Sequence, residues 1–432
     1  MNQRAAFVAG LLLVGGCATN VVPALPAPVP VLRLPATSAL IAAPPGEVGF
    51  AASLNATLDS IMAQGLAEGA APGAALVVGR YGRIVHMGSY GRINVPPESS
   101  AITDSTLFDL ASLTKAVGGT TVAMILEDEG LLDLDRPVRY YLPEFNAPDK
   151  AGITVRHLLT HSAGFIAGSS LWENFSTREE FVRAINARPL AYAPGMEMTY
   201  SDWSLILGGI LLERISGQPL DLLLNERVWE PLGMRDTGYN PLAFGPLAPG
   251  EPCTEAFRPD HPLLARIAAT EVDSAYRQGL VHGTVHDANA CAVGGVSGHA
   301  GLFSSARDLA VFAQMLLNGG SYNGVRIIDP NTIARWTARQ SPRSSRALGW
   351  DTPSGNSSAG HYFSPRSFGH TGFTGTSLWV DPERGVFVVL LTNRVNPTSL
   401  NTRHERLRRD VADAVQEALL DAPLIEWRSR TD

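Results

Sequence analysis

Ser112 and Lys115, in the stretch FDLASLTKAVGG (residues 108–119), are residue types that could do chemistry together. Lys115 and Lys150 are the only lysines among 34 basic residues; the other 32 are arginine. A guanidinium cannot lose its proton in a protein, whereas a buried ammonium can. On a helix, positions i and i+3 share a face, so the two side chains would point the same way one turn apart. A serine at the helix start would hold its backbone N–H at the positive end of the dipole, where an oxyanion is stabilised. Its hydroxyl is a poor nucleophile until a base takes its proton, and a desolvated lysine can serve. The chemistry so implied is acyl transfer through Ser112. The short S-x-x-K pattern also fits a lysine that caps a nearby carbonyl, so the surroundings must decide.

Those surroundings are strands at both ends of the chain and helices between. Ser53–Ala67 has helical spacing, with Leu54, Leu58, Ile61 and Met62 on one face. GAALVVGRYGRIVHMGSYGRI reads as a hairpin around Arg80-Tyr81-Gly82. Residues 112–129 form a long apolar helix that stops at Gly130, and most segments from there to about residue 290 look helical. ARDLAVFAQMLLNGG is an amphipathic helix ended by glycines. HTGFTGTSLWVDP and GVFVVLLTNRV flank a hairpin turn at Asp381–Gly385, and a last helix covers Glu405–Leu420. The economical arrangement is α/β in the α+β sense: one antiparallel sheet from both chain ends, covered by helices, with a mainly helical region inserted.

FDLASLTK followed by an apolar helix resembles the first motif of the penicillin-recognising serine hydrolases. That family comprises class C β-lactamases, low-mass D-alanyl-D-alanine peptidases and the carboxylesterases that share their fold. YAPGMEMTYSDWSLILGGILLERISG is similar to its second segment, whose Tyr-x-Asn motif here reads Tyr200-Ser201-Asp202. FGHTGFTGTSL resembles its third, Lys-Thr-Gly, which here reads His370-Thr371-Gly372. The likeness covers about residues 50–420 and implies the β-lactamase/DD-peptidase fold.

The resemblance implies that Ser112 is acylated, that Lys115 is its base, and that Tyr200 shuttles a proton to the leaving group, its phenolate favoured by a neighbouring cation. The backbone N–H groups of Ser112 and Phe373 would form the oxyanion hole. Thr371 would bond a substrate carboxylate, and Gly372 would let substrate backbone approach. Asp202 stands where many relatives carry an amide, putting an acceptor where β-lactam binding needs a donor. His370 replaces the usual lysine, so the expected anchor for an anionic substrate is weaker and more pH-sensitive. Some D-alanyl-D-alanine peptidases of the family carry His-Thr-Gly, which tilts the expectation towards peptide substrates. Carboxylesterase and then β-lactamase activity follow, and a binding protein without turnover is the alternative outside enzymes. The absence of G-x-S-x-G disfavours a nucleophile-elbow hydrolase.

Other polar clusters have milder readings. His157 and His161 lie i and i+4, but without a carboxylate at HExxH spacing they read as structural. His282, His286, Asp287 and His299 could line the cleft or fix loops by hydrogen bonds. No metal or cofactor is expected. A net charge of −7 and the lack of a basic run set aside nucleic acid as a partner.

The first twenty residues carry one Arg, then an apolar run from Ala5 to Gly16, which is too short to span a bilayer and reads as an export signal. Val14-Gly15-Gly16-Cys17 resembles the lipobox of bacterial lipoproteins, which implies lipidation of Cys17 and a membrane anchor, with the domain in the bacterial periplasm at the outer membrane. The expected organisation is a signal peptide over 1–16, a Pro/Ala-rich tether over 17–49 and the hydrolase domain over 50–425. Cys253 and Cys291 could pair after export, but two cysteines at that separation more often stay free and buried, and that is the expectation.

Overall fold

The computed structural model describes residues 39–243, 251–355 and 357–426. Cys17 and the apolar leader lie outside them. Six strands form the main sheet: β1 (Ile41–Ala42), β2 (Gly73–Arg80), β3 (Arg83–Gly91), β4 (Phe368–Thr371), β5 (Ser377–Asp381) and β6 (Val386–Thr392). Their order is β1-β3-β2-β6-β5-β4. Only β1 runs parallel to its neighbour. The hairpin between β2 and β3 turns on Tyr81 and Gly82, both with positive φ (49° and 79°), which matches the twist of a tight hairpin. The β2–β6 pairing, from Ala74↔Thr392 to Arg80↔Val386, is the expected seam between the two chain ends.

The helices that matter to the site are α1 (Leu54–Ala67), α2 (Thr121–Asp128), α3 (Asp202–Ser216), α4 (Ala306–Leu317) and α5 (His404–Glu417). β2 is apolar on both faces because both are covered. Leu76 and Val78, with Val388 and Leu390 of β6, pack on Leu54, Leu58 and Met62 of α1 and on Leu407 and Val411 of α5. Val77, Val389 and Leu391 point the other way, into the larger core of the helical region. Burying each such side chain stabilises the fold by roughly 1.5–3 kcal/mol.

Three features depart from expectation. Cys253 and Cys291 form a disulfide rather than two free thiols. It links the segment after residue 251 to the helix Ala288–Ala292, inside a satellite core of Leu107, Leu242, Ile267, Val285 and Phe303. The helical middle also contains a small sheet of Phe108–Asp109, Leu302–Ser304 and Gly238–Tyr239, whose strands are too short to show periodicity. Finally, the last residues of the compositional tether belong to the domain. Ile41–Ala42 pairs with β3, and the carbonyl of Val48 accepts a hydrogen bond from the buried Arg80 guanidinium.

Candidate active site

Phe108–Asp109 is pinned in the small sheet and delivers the chain to Ser112. Ala111, one residue earlier, has φ +45°, and its N–H donates to the buried Asp109 carboxylate at 2.7 Å. A non-glycine residue held there stores strain at the entry to the site. After Ser112 the chain winds as a π-helical stretch, Lys115–Thr120, and continues as α2. Such windings are frequent at functional sites. Lys115 Nζ donates to Ser112 Oγ at 2.8 Å and to the carbonyl of His299 at 3.2 Å. His299 reaches it because Gly298 fits where no side chain would: a Cβ there would stand 2.5 Å from Leu205 O and 2.8 Å from Gly209 Cα.

Asp202, at the start of α3, lies 2.7 Å from Lys115 Nζ. This changes the roles expected of both residues. Burial pushes the Lys115 ammonium down, but the charges and hydrogen bonds of Asp202 and Tyr200 outweigh it and hold the pKa above the ordinary lysine value. Lys115 is therefore charged in this geometry and donates to Ser112 Oγ, where the sequence suggested a proton acceptor. Asp202 is its counter-ion before it is anything to a substrate amide. Tyr200 lies between two cations, with Lys115 Nζ 5.1 Å and the Arg346 guanidinium carbon 5.0 Å from the ring centroid. Its ring packs on His161 at 4.5 Å, and His161 Nδ1 accepts the Ser201 N–H. His161 thus fixes the Tyr200 segment, while His157 caps the helix Val155–Leu159.

β4 brings the third motif to the same cleft, a cavity of ≈ 480 Å³ lined by Ser112, Tyr200, His370, Thr371, Gly372 and Phe373 among others. His370 is not a cationic anchor. Burial, then the charges of Arg346 and Lys115, hold it well below the usual histidine value. Its Nδ1–H donates to Thr371 O at 2.8 Å, and its Nε2 accepts from Arg346 Nη1 at 3.4 Å. The expected pH-sensitive charge at this position is therefore absent, and positive charge comes from Arg346. Gly372 also answers to a different neighbour than a substrate: a Cβ on it would stand 2.2 Å from Leu110 O. The turn after β4 is stapled to the nucleophile segment by Thr374 Oγ1 donating to Asp109 O (2.7 Å) and Thr376 Oγ1 to Leu110 O (2.9 Å). The backbone N–H groups of Ser112 and Phe373 make no hydrogen bond among the described residues. They remain free to serve an oxyanion.

Arg346, Arg394 and Arg408 line the cleft, and sequence reasoning missed all three. A lone arginine in a chain with 32 of them carries no motif. The loop histidines support the site from behind. His286 stacks on Phe373 (5.7 Å, 27°) while its Nε2 meets Glu271 at 2.8 Å, and that contact helps hold Glu271 down to about 2. His299 Nε2 pairs with Asp287 at 3.0 Å, and His282 Nε2 bonds Ile267 O at 2.8 Å.

The comparisons with known proteins agree with this architecture. The model of the β-lactamase family matches residues 58–413. A relative from Salmonella agona (strain SL483), named "Putative D-alanyl-D-alanine carboxypeptidase", is 32% identical over 401 residues, covering 84% of this chain and 88% of its own. Its namesake from Salmonella typhimurium (strain LT2) matches to the same extent. Among solved structures, a penicillin-binding protein homolog from Caulobacter crescentus aligns with a TM-score of 0.67 at 22% identity, over 86% of this chain and 99% of that one. EstCE1, described as a hydrolase with promiscuous acyltransferase activity, gives 0.65 at 23% identity, over 84% and 98%. At these identities the structures speak for the fold, whereas the family model and the curated relatives carry membership. This chain belongs to the β-lactamase family and is a serine hydrolase of the β-lactamase fold.

Proposed function

We propose that the protein works through an acyl-enzyme on Ser112 and cleaves peptides that end in a D-alanyl-type residue with a free carboxylate. The observation that carries the reading is the convergence of Ser112 Oγ, Lys115 Nζ at 2.8 Å and Tyr200 in one cleft with Arg346. With Lys115 charged, Tyr200 is the group assigned to take the serine proton and return it to the leaving amine. The free N–H groups of Ser112 and Phe373 would receive the developing oxyanion. Arg346, bonded to His370 and lining the cleft with Thr371, would hold the substrate carboxylate by a charge-assisted bond. The names of the Salmonella relatives support the same substrate class. Export and a lipid anchor on Cys17 belong to the proposal, since they would set the domain beside cell-wall peptides.

One observation favours a second reading. Asp202 is committed to Lys115 and offers no donor to a substrate amide, which would suit a small acyl ester. The deciding experiment compares turnover of a short-chain nitrophenyl ester, nitrocefin and a D-Ala-D-Ala peptide. Peptide turnover is expected; an untouched peptide with rapid ester turnover would give the site to the esterase reading. Covalent labelling by a fluorophosphonate should vanish in Ser112→Ala, and labelling that survives would remove Ser112 from the nucleophile's role.

A further inference from the structure

Arg408 of α5 is an expensive residue where it stands. It is 8% exposed, and the carboxylate that acts on it, Glu405 one turn earlier on α5, makes no hydrogen bond to it among the described residues. Its Nη2 donates instead to two carbonyls, Gly372 O at 2.8 Å and Thr376 O at 2.6 Å, and its buried Nε has no partner. Burial, then Arg394, pushes the guanidinium below the ordinary arginine value. A cation buried with no carboxylate bonded to it is costly, so its retention calls for a reason.

The reason lies in the amide that Arg408 touches. The carbonyl of Gly372 and the N–H of Phe373 are the two ends of one planar peptide unit. A cation bonded to the oxygen draws electron density from the nitrogen, and hydrogen bonds in such a chain strengthen one another. The same oxygen also accepts Gly375 N–H at 3.1 Å. Arg394 holds the next carbonyl, Phe373 O, at 2.6 Å and lies 4.3 Å from the Phe373 ring centroid, so it braces the residue on the far side of that N–H.

We infer that Arg408 is a positioning residue that polarises the Phe373 N–H towards the reacting oxygen through the Gly372–Phe373 peptide. The inference rests on the reading of Ser112 as the acylated nucleophile and of the Phe373 N–H as an oxyanion donor. When negative charge forms beyond that N–H, the buried guanidinium gains negative charge in addition to that of Glu405, so the stabilisation falls in the transition state.

The test uses the full chain, Arg408→Gln and Arg408→Lys, with a nitrophenyl ester that carries no carboxylate. The acyl-enzyme carbonyl stretch is read by isotope-edited infrared spectroscopy. Deleting a whole oxyanion donor costs about 10²–10³ in kcat, so weakening one in Arg408→Gln should cost about tenfold, with KM within about twofold. The carbonyl stretch should move to higher wavenumber, and Arg408→Lys should show a smaller shift in the same direction. The lysine variant also covers the case in which the glutamine variant does not fold. An unchanged stretch with an unchanged kcat on the neutral ester, and a raised KM for a carboxylate-bearing peptide only, would show Arg408 binding substrate directly and overturn the inference. A lower melting temperature with an unchanged stretch would reduce Arg408 to a structural prop and overturn it too. Failure of the unmodified chain to acylate Ser112 would instead remove the reading beneath it, and labelling of that chain is measured first to tell the two failures apart.

Discussion

Asp202 sets the charge of Lys115, and with it the group that can accept the serine's proton. In Asp202→Asn, burial would act on the ammonium without the carboxylate that outweighs it, so the Lys115 pKa should fall. A lysine needed in its charged form fails as pH rises. The alkaline limb of kcat/KM should therefore move to lower pH by a unit or more in Asp202→Asn; a limb that stays in place would show that Asp202 does not govern the charge. Arg346→Gln should raise KM for a carboxylate-bearing peptide about 10- to 100-fold, the worth of one charge-assisted hydrogen bond. The same variant should leave a neutral ester within about threefold; equal losses on both substrates would deny Arg346 the anchoring role. Ser112, Lys115 and Tyr200 were legible because their order and spacing form a pattern. The anchor was not. The charge of His370 is set by its burial and then by the charges of Arg346 and Lys115, and spacing along the chain records neither.

Element by element, legibility follows length. α1, the β2–β3 hairpin and the helix ended by Gly130 have enough residues to show a period, and they stand where the pattern put them. The two-residue strands that seat Phe108–Asp109 have none, although they aim the nucleophile. The disulfide was misjudged because separation in sequence says little about separation in space. It closes a 38-residue span behind His286 and Asp287. Chain-entropy reasoning gives such a span about 4 kcal/mol. Replacing both cysteines by alanine should lower the urea midpoint accordingly and loosen the loop behind Phe373, with kcat falling more than KM rises. A double variant as stable as the parent would mean that the satellite core holds the loop unaided.

The molecule as a whole buries neutral imidazoles on several sides of its cleft. His404 is held down to about 3 by burial and by Arg408 and Arg394, and His161 and His370 also lie well below the ordinary value. Their folded pKa values are depressed, so the native state binds fewer protons than the unfolded chain between those values and about 6.5. The stability they contribute is present above about pH 6.5 and lost as pH falls, at about 2 kcal/mol for each such histidine between pH 6.5 and 5. The melting temperature should drop over that interval, and the drop should shrink in His404→Gln; a flat profile would refute this account. Lipidation is tested at the same scale: Cys17→Ser should release the protein from membranes, and retention would refute the anchor.

The seam between β2 and β6 also bears on when the protein becomes competent. Gly73 N–H reaches the side chain of Asn393 across 320 residues, and the turn that completes the cleft hangs from the same late strands. A nascent chain therefore carries an apolar strand with an unmade edge for most of its synthesis, open to wrong partners. Until the closing strands arrive it has a serine but no cleft, so this hydrolase cannot begin work half-made.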